Sequence, residues 1–281
     1  MSKVLSVKNL SKSYGSFKLQ NVSFEINKGE IMGFIGRNGA GKTTTLKSLL
    51  NLVHPDSGEI EFFGMNFAES ESEIKQRIGY AAGGMNYYSR KRIRDIAKVT
   101  KGFYEYRDDN EFERLLTMFK LDGGKRIIDL SEGMKVKFHL ALALSHKAQL
   151  LILDEPTSGL DPVSRDELLE LFMQIAKNGT AILFSTHITS DLDKCADKIT
   201  YIRHGKIIDS SSTDDFIGKY RLVEIKGEVS GEQREAILGE SMSKRGGTAL
   251  IYADNAELFG GCDITAPDLE TIMVHLEKER I

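Results

Sequence analysis

Cysteine is scarce: Cys195 and Cys262 stand far apart in a chain of 281 residues. Neither belongs to a metal-binding or redox spacing, so cysteine-based metal and redox chemistry is excluded and two ordinary thiols in a reducing compartment are expected. Long apolar runs are missing. No uninterrupted stretch approaches the roughly 20 residues needed to span a bilayer. If the protein works at a membrane, another chain must supply the channel. Met1 to Leu10 holds no apolar block of signal-peptide length.

A positive excess is missing too. The chain has 38 Lys and Arg against 41 Asp and Glu, for a net charge of -3. Nucleic-acid binding, which usually needs a basic surface stripe, is not expected. There is no internal repeat and no low-complexity segment. What is present, 41% hydrophobic and 28% charged residues, is an ordinary soluble balance. The length suits one large domain, or one domain with a small appendage.

Apolar spacing outlines the organisation. Val4, Leu5 and Val7 open a first strand, and Val22, Phe24 and Ile26 alternate as in a half-buried strand. The run IMGFI at 31–35 predicts a buried strand, followed by a glycine-rich turn and a helix from near Lys42. Residues 59–63 and 77–81 read as two more strands. Between 93 and 146 the period becomes helical, with Ile96, Val99 and Phe103, then Phe112, Leu115, Leu116 and Phe119. From Gln149 strands and helices alternate: LLILD, a helix over 163–177, AILFS, a helix over 189–196, and KITYI. Such alternation implies a parallel sheet covered on both faces. Around Tyr220 the pattern resets. LVEIKG, TALIYAD and a last helix from about Pro267 suggest a small accessory domain over 220–281.

Two motifs carry chemistry. GRNGAGKTT from Gly36 fits G-x-x-x-x-G-K-[ST] and lies between a predicted strand and a predicted helix, the context the motif requires. Gly36, Gly39 and Gly41 let the backbone curl so that its N–H groups meet phosphate oxygens, and the helix N-terminus adds its dipole. Asn38 and Thr44 belong to the same loop. Lys42 would contact the β- and γ-phosphates, and Thr43 would offer its hydroxyl to Mg²⁺. LLILDEP then ends a buried strand at Asp154, at the carboxyl edge of the sheet where ligands bind in open α/β folds. Asp154 would hold Mg²⁺ through water, and Glu155 is the natural general base for an attacking water. Taken alone, a glycine turn or an acidic turn has an ordinary structural reading; the pair together points to hydrolysis of a bound triphosphate.

The combination resembles the ABC ATPase family over roughly residues 1–220. The resemblance implies an α/β P-loop NTPase of the RecA-like type, with a parallel sheet, an antiparallel β subdomain and a helical insert. The ATPase domain would cover 1–219 with its helical subdomain at about 84–148, and a small C-terminal α+β domain would follow. Tyr14, in SKSYGSF, matches the family's adenine-stacking aromatic. Leu130-Ser131-Glu132-Gly133-Met134 matches its LSGGQ signature, so Ser131 and Gly133 would bind the γ-phosphate held by an opposite subunit. Ser158 and Asp161 fall in its dimer-interface loop, and His187 matches its switch histidine. Without the resemblance, Tyr14 is a turn tyrosine, Ser131 a helix N-cap and His187 a structural histidine.

Two positions depart from the family. Gly83 replaces the usual glutamine in Ile78-Gly79-Tyr80-Ala81-Ala82-Gly83, with Asn86 as a substitute, and the signature carries Glu132 and Met134 where Gly and Gln are usual. Hydrolysis is expected despite both, slow or dependent on a partner. LSEGMKVKFHLALALSH and the ending APDLETIMVHL resemble the branch of bacterial exporter ATPases for peptides, antibiotics and similar compounds. The implied cofactors are ATP and Mg²⁺. The implied partners are a separate transmembrane permease and a second ATPase subunit, identical or not. The implied place is the cytoplasmic face of the membrane. A soluble regulatory nucleotide sensor is the alternative.

Overall fold

A computed structural model describes residues 2–82, 88–225, 227, 229–243 and 246–278. Gly83 and Asn86 lie outside the described residues. The chain divides into two compact units, Met1–Ser210 and Ser211–Ile281.

The first unit opens with β1 (Lys3–Tyr14) and β2 (Phe17–Asn27), an antiparallel hairpin. In β2 the apolar positions Leu19, Val22, Phe24 and Ile26 are buried while the residues between them face outward, as a one-sided sheet requires. β3 (Ile31–Ile35) follows, buried at every position, and leads through the glycine loop into α1 (Lys42–Leu49). β4 (Ser57–Phe62) and β5 (Met65–Asn66) complete the antiparallel sheet in the order β2-β1-β4-β5. α2 (Phe67–Gln76) then runs to β6 (Ile78–Ala82). The sequence reading omitted α2, whose polar ESESE stretch hides the apolar face made by Phe67 and Ile74.

The insert holds α3 (Ile93–Lys101), α4 (Asp109–Met118) and α5 (Glu132–Ser145). Asp108 starts α4 by accepting from the N–H groups of Asn110 and Glu111. Phe112, Leu115, Leu116 and Phe119 are buried as their spacing predicts. The stripe ascribed to α3 differs. Ile93 and Ala97 are buried, whereas Val99 is 62% and Phe103 72% exposed. α3 ends at Lys101, so Phe103 is not on the helix whose face it was meant to share.

β7 (Leu150–Asp154), α6 (Pro162–Lys177), β8 (Ala181–Thr186), α7 (Thr189–Cys195), β9 (Lys198–Arg203) and β10 (Lys206–Ser212) complete the central sheet, ordered β10-β9-β3-β8-β7-β6. Strands β9, β3, β8, β7 and β6 pair in parallel. The core lies between this sheet and the antiparallel one, where Leu5, Phe34, Leu46, Phe62 and Leu183 have no exposed surface.

The second unit has α8 (Thr213–Gly218), β11 (Tyr220–Ile225), α9 (Gly231–Ala236), β12 (Ile237–Ser243), β13 (Gly246–Tyr252), β14 (Ile264–Thr265) and α10 (Leu269–Glu277). Its strands form a sheet ordered β12-β13-β11-β14. Its core is Val223, Ile237, Ala249, Ile251 and Phe259. The buried His275 of α10 lies 3.0 Å from the Thr248 hydroxyl.

Close packing of β6 on the insert makes a test of the arrangement. A Cβ on Gly79 would stand 2.4 Å from the Ala143 methyl of α5 and 2.6 Å from Leu151. Gly79→Ala is therefore expected to lower stability by about 1–3 kcal/mol, the usual effect of overpacking a filled core. A urea midpoint equal to wild type would contradict this packing.

Candidate functional site

The site is built at the carboxyl ends of β3, β7 and β8. Five buried residues drive β3 straight into the sheet, and the chain must then turn sharply into α1. Gly36 permits the turn because a Cβ there would lie 2.3 Å from the Ile202 carbonyl oxygen. Gly41 adopts φ 116, a left-handed conformation open to glycine, and heads α1 with no side chain capping it. The first N–H groups of a helix have no partner within the helix. Lacking a side-chain cap, they suit an anion, which the dipole at that end favours.

Lys42, the first residue of α1, is only 5% exposed. Its ammonium donates to the Gly36 carbonyl at 2.7 Å and stands 3.3 Å from the Glu155 carboxylate. The Thr43 hydroxyl donates to Asp154 at 3.2 Å. Asp154 also accepts from the buried Ser185 hydroxyl at 2.6 Å, because the β7–β8 register sets the two residues opposite each other. The Ser185 oxygen in turn accepts the Glu155 N–H at 2.9 Å.

Glu155 has φ 51, a left-handed backbone on a residue that is not glycine. That conformation costs about 1–2 kcal/mol and turns the chain sharply at the end of β7. The side chain then faces two groups at once: Lys42 on one oxygen, and His187 Nδ1 at 2.8 Å on the other. An ammonium, a carboxylate and an imidazole thus stand in a row beside the phosphate loop.

These groups line a cavity of about 510 Å³, whose walls include Asn38, Gly39, Gly41, Thr43, Thr44 and Ser158. Of the residues singled out from the sequence, it gathers the phosphate loop, Glu155, Ser158 and His187. Asp154 joins through Thr43 and Gly36 through Lys42. Four others, besides Asp154 and Gly36, are not on the cavity wall. Tyr14 is 45% exposed, with the Lys12 ammonium 5.5 Å from its ring. Ser131 caps α5, accepting from the Met134 N–H at 3.3 Å, and Gly133 is buried in its first turn. Asp161 caps α6, accepting from Val163 and Ser164, and hydrogen bonding to Ser164 holds its carboxyl below the usual range. Glu132 pairs with Lys135 at 2.7 Å, which directs its charge along α5.

Sequence reading missed Phe17, Ser185, Thr157 and Asp191. Phe17 lies opposite Tyr14 across the β1–β2 hairpin and lines the cavity. Its signal was its distance of three residues from Tyr14 around a two-residue turn. A larger hollow of about 830 Å³, whose walls include Lys28, Arg77, Gln149, Gln174 and Thr180, lies by the amino ends of β7 and β8. Ligands of such sheets bind at the carboxyl ends, and the acid–imidazole pair is there, so the smaller cavity is the functional one.

The chain is similar to known proteins in sequence and in fold. A family model described as ABC transporter matches residues 19–158. The bacitracin transport ATP-binding protein of Bacillus licheniformis is 34% identical over 244 residues, covering 85% of this chain and 79% of the relative. The corresponding protein of Enterococcus faecalis is 33% identical and covers 74% and 69%. Among solved structures, an ATP-binding subunit of an ABC transporter is 30% identical, with a TM-score of 0.68, covering 75% of this chain and 91% of that one. With the phosphate loop and the acid–imidazole pair in place, the chain belongs to the ABC transporter ATP-binding proteins, as an ATP-binding and ATP-hydrolysing subunit.

Proposed function

We propose that this subunit powers a bacterial exporter of peptides, antibiotics or other amphipathic compounds, docked as a peripheral subunit on the cytoplasmic face of a separate membrane permease. The relatives named for bacitracin transport support the cargo class. Among the described residues no helix is long and apolar enough to cross a membrane, which suits a peripheral role. In this reading residues 1–219 are the motor, with a helical subdomain at about 84–148, and 220–281 an accessory domain.

The carrying observation is the Lys42–Glu155–His187 row. Lys42 holds the β- and γ-phosphates, with the N–H groups of the loop and of α1 around them. Asn38, Gly39, Thr43 and Thr44 wall the triphosphate, and Tyr14 with Phe17 gives the base an aromatic surface. Glu155 takes the proton of the attacking water, and His187, hydrogen-bonded to it, orients the water and contacts the γ-phosphate. Lys42 can serve only one anion fully. A γ-phosphate that takes its ammonium leaves Glu155 tethered by His187 alone, free to act as base.

Thr43 and Asp154 fit Mg²⁺: both offer hard oxygens, and their hydrogen bond at 3.2 Å puts those oxygens side by side. No set of three or more His, Cys, Asp or Glu is gathered for a metal among the described residues, so Thr43 and Asp154 would hold Mg²⁺ together with the substrate's phosphates. The chemistry it would supply there is neutralisation of charge developing on the phosphates. Ser131 and Gly133 address the γ-phosphate of a second ATPase subunit, and Ser158 with Asp161 line the contact between the two. ATP closes the pair because the closed state binds it better than the open one.

Glu155→Gln is expected to keep ATP affinity and lose turnover by about 10²–10⁴-fold, the range of general-base contributions. ATP binding and phosphate release measured on one preparation check both halves, and a wild-type rate would remove the base assignment. Tyr14→Ala and Phe17→Ala are each expected to weaken ATP binding by roughly 5–150-fold, since base–aromatic stacking is worth about 1–3 kcal/mol. If Phe17→Ala alone weakens binding, the base rests on Phe17 and not on Tyr14.

A further inference from the structure

We infer that Asp191 is a positioning residue of the hydrolytic site, a buried carboxylate that holds both flanks of the Glu155–His187 contact in one register. The inference rests on the reading of Glu155 and His187 as the groups that act on water. Asp191 lies in the first turn of α7 and has no exposed surface. One of its oxygens accepts from the Thr157 hydroxyl at 2.6 Å and from the Thr186 hydroxyl at 3.3 Å. Thr157 is two residues after Glu155, and Thr186 immediately precedes His187. The Thr186 hydroxyl also accepts the Ile188 N–H at 3.0 Å, so both sides of His187 are tied to one point.

The other oxygen of Asp191 has no hydrogen-bond partner among the described residues, and neither has the buried Nε of Arg165, 4.0 Å away. The Arg165 guanidinium reaches the Leu160 carbonyl at 3.5 Å. The segment Ser158–Asp161, which the proposed function places against a second subunit, is thereby linked to the same carboxylate.

A purely structural role explains this poorly. Burial in the first place pushes the Asp191 carboxyl above the usual range, with the hydrogen bond from Thr157 and the charge of Arg165 opposing it and the charge of Glu155 adding to it. A buried acid with one oxygen lacking a hydrogen bond is an inefficient way to fasten a short helix, which an apolar residue would do without desolvating a charge. What the carboxylate alone supplies is an acceptor shared by two hydroxyls, each one or two residues from a reacting group. A 1 Å misplacement of reacting groups lowers rates by about 10²-fold, so geometry of this kind is worth holding.

The test is a double-mutant cycle in the full chain, reading kcat and KM for ATP, ATP affinity and melting temperature. Asp191→Ala, which removes the shared acceptor, is expected to lower kcat about 10-fold or more, within the loss a small misplacement brings, while ATP affinity stays near wild type. In a His187→Ala background the same change is expected to cost clearly less than in the wild-type background, because one of the two reacting groups it positions is already gone. Thr157→Val is expected to lower kcat as Asp191→Ala does, and Thr157→Ser, which keeps the hydroxyl, to restore it. That pair carries the test if Asp191→Ala fails to fold. Multiplying losses in the double variant, an unchanged kcat, or a kcat that falls only with melting temperature would overturn the inference while leaving Glu155 as base. A wild-type rate in Glu155→Gln or His187→Ala would instead remove the underlying reading, and this inference with it.

Discussion

The parallel pairing of β7 with β8 sets Asp154 directly opposite Ser185, and the chemistry of the site descends from that register. A side chain alternates faces with every residue along a strand, so a slip of one residue would send Asp154 to the other face of the sheet. In the register observed, one hydroxyl donates to Asp154 and accepts from the Glu155 backbone. That double use fixes where β7 ends and how the chain leaves it. The pairing holds because both strands are buried at every position, which leaves little freedom to slide.

From that anchor the remaining groups follow by short covalent distances. Glu155 leaves the strand in a left-handed turn, and its carboxylate reaches back to Lys42, which the glycine loop delivers from β3. β3 pairs with β8 on the side away from β7, so loop and acidic pair emerge from strand ends on either side of β8. His187 stands one residue past β8 and completes the row. Three segments distant in sequence thus meet through strand neighbours alone, with no long loop needed to bring them together.

This explains what could be read without coordinates. The phosphate loop and the LLILDEP turn were legible because their chemistry is local: a few consecutive residues carry the glycines, the lysine and the acids. Buried strands were legible for the same reason, as continuous apolar runs. Ser185, Thr157 and Asp191 were not, because nothing near them marks a serine, a threonine or a helical aspartate as more than ordinary. Their importance comes from contacts spanning about thirty residues, as between Asp154 and Ser185 (31 apart) and Thr157 and Asp191 (34 apart). Phe17 was hidden behind Tyr14, since a hairpin offers two aromatics and only the register decides which one faces the loop. Spacing misread α3 because Val99 and Phe103 continue an apolar rhythm past the residues that the fold buries. In the second unit β12 and β14 escaped notice, being short or polar, so two predicted strands became a four-stranded sheet.

The contrast between helix starts shows where the fold departs from local economy. α2, α4, α5, α6 and α10 each begin at a side chain that accepts an N–H of the first turn. Such a cap is typically worth about 1 kcal/mol, and a stability-driven sequence would place one at α1 as well. α3 and α7 also start without such a cap, but α1 begins at Gly41, which has no side chain to offer, and its next residue is a lysine buried against a carboxylate. A side-chain cap would occupy the N–H groups that an anion needs, and a cation beside a helix N-terminus is unfavourable unless a negative charge accompanies it, as Glu155 does here. The two features are one arrangement, in which the Glu155 carboxylate balances Lys42 while the uncapped N–H groups of α1 stay open to an anion. In the proposed function a triphosphate would take up both, so a local cost in helix capping would serve nucleotide binding.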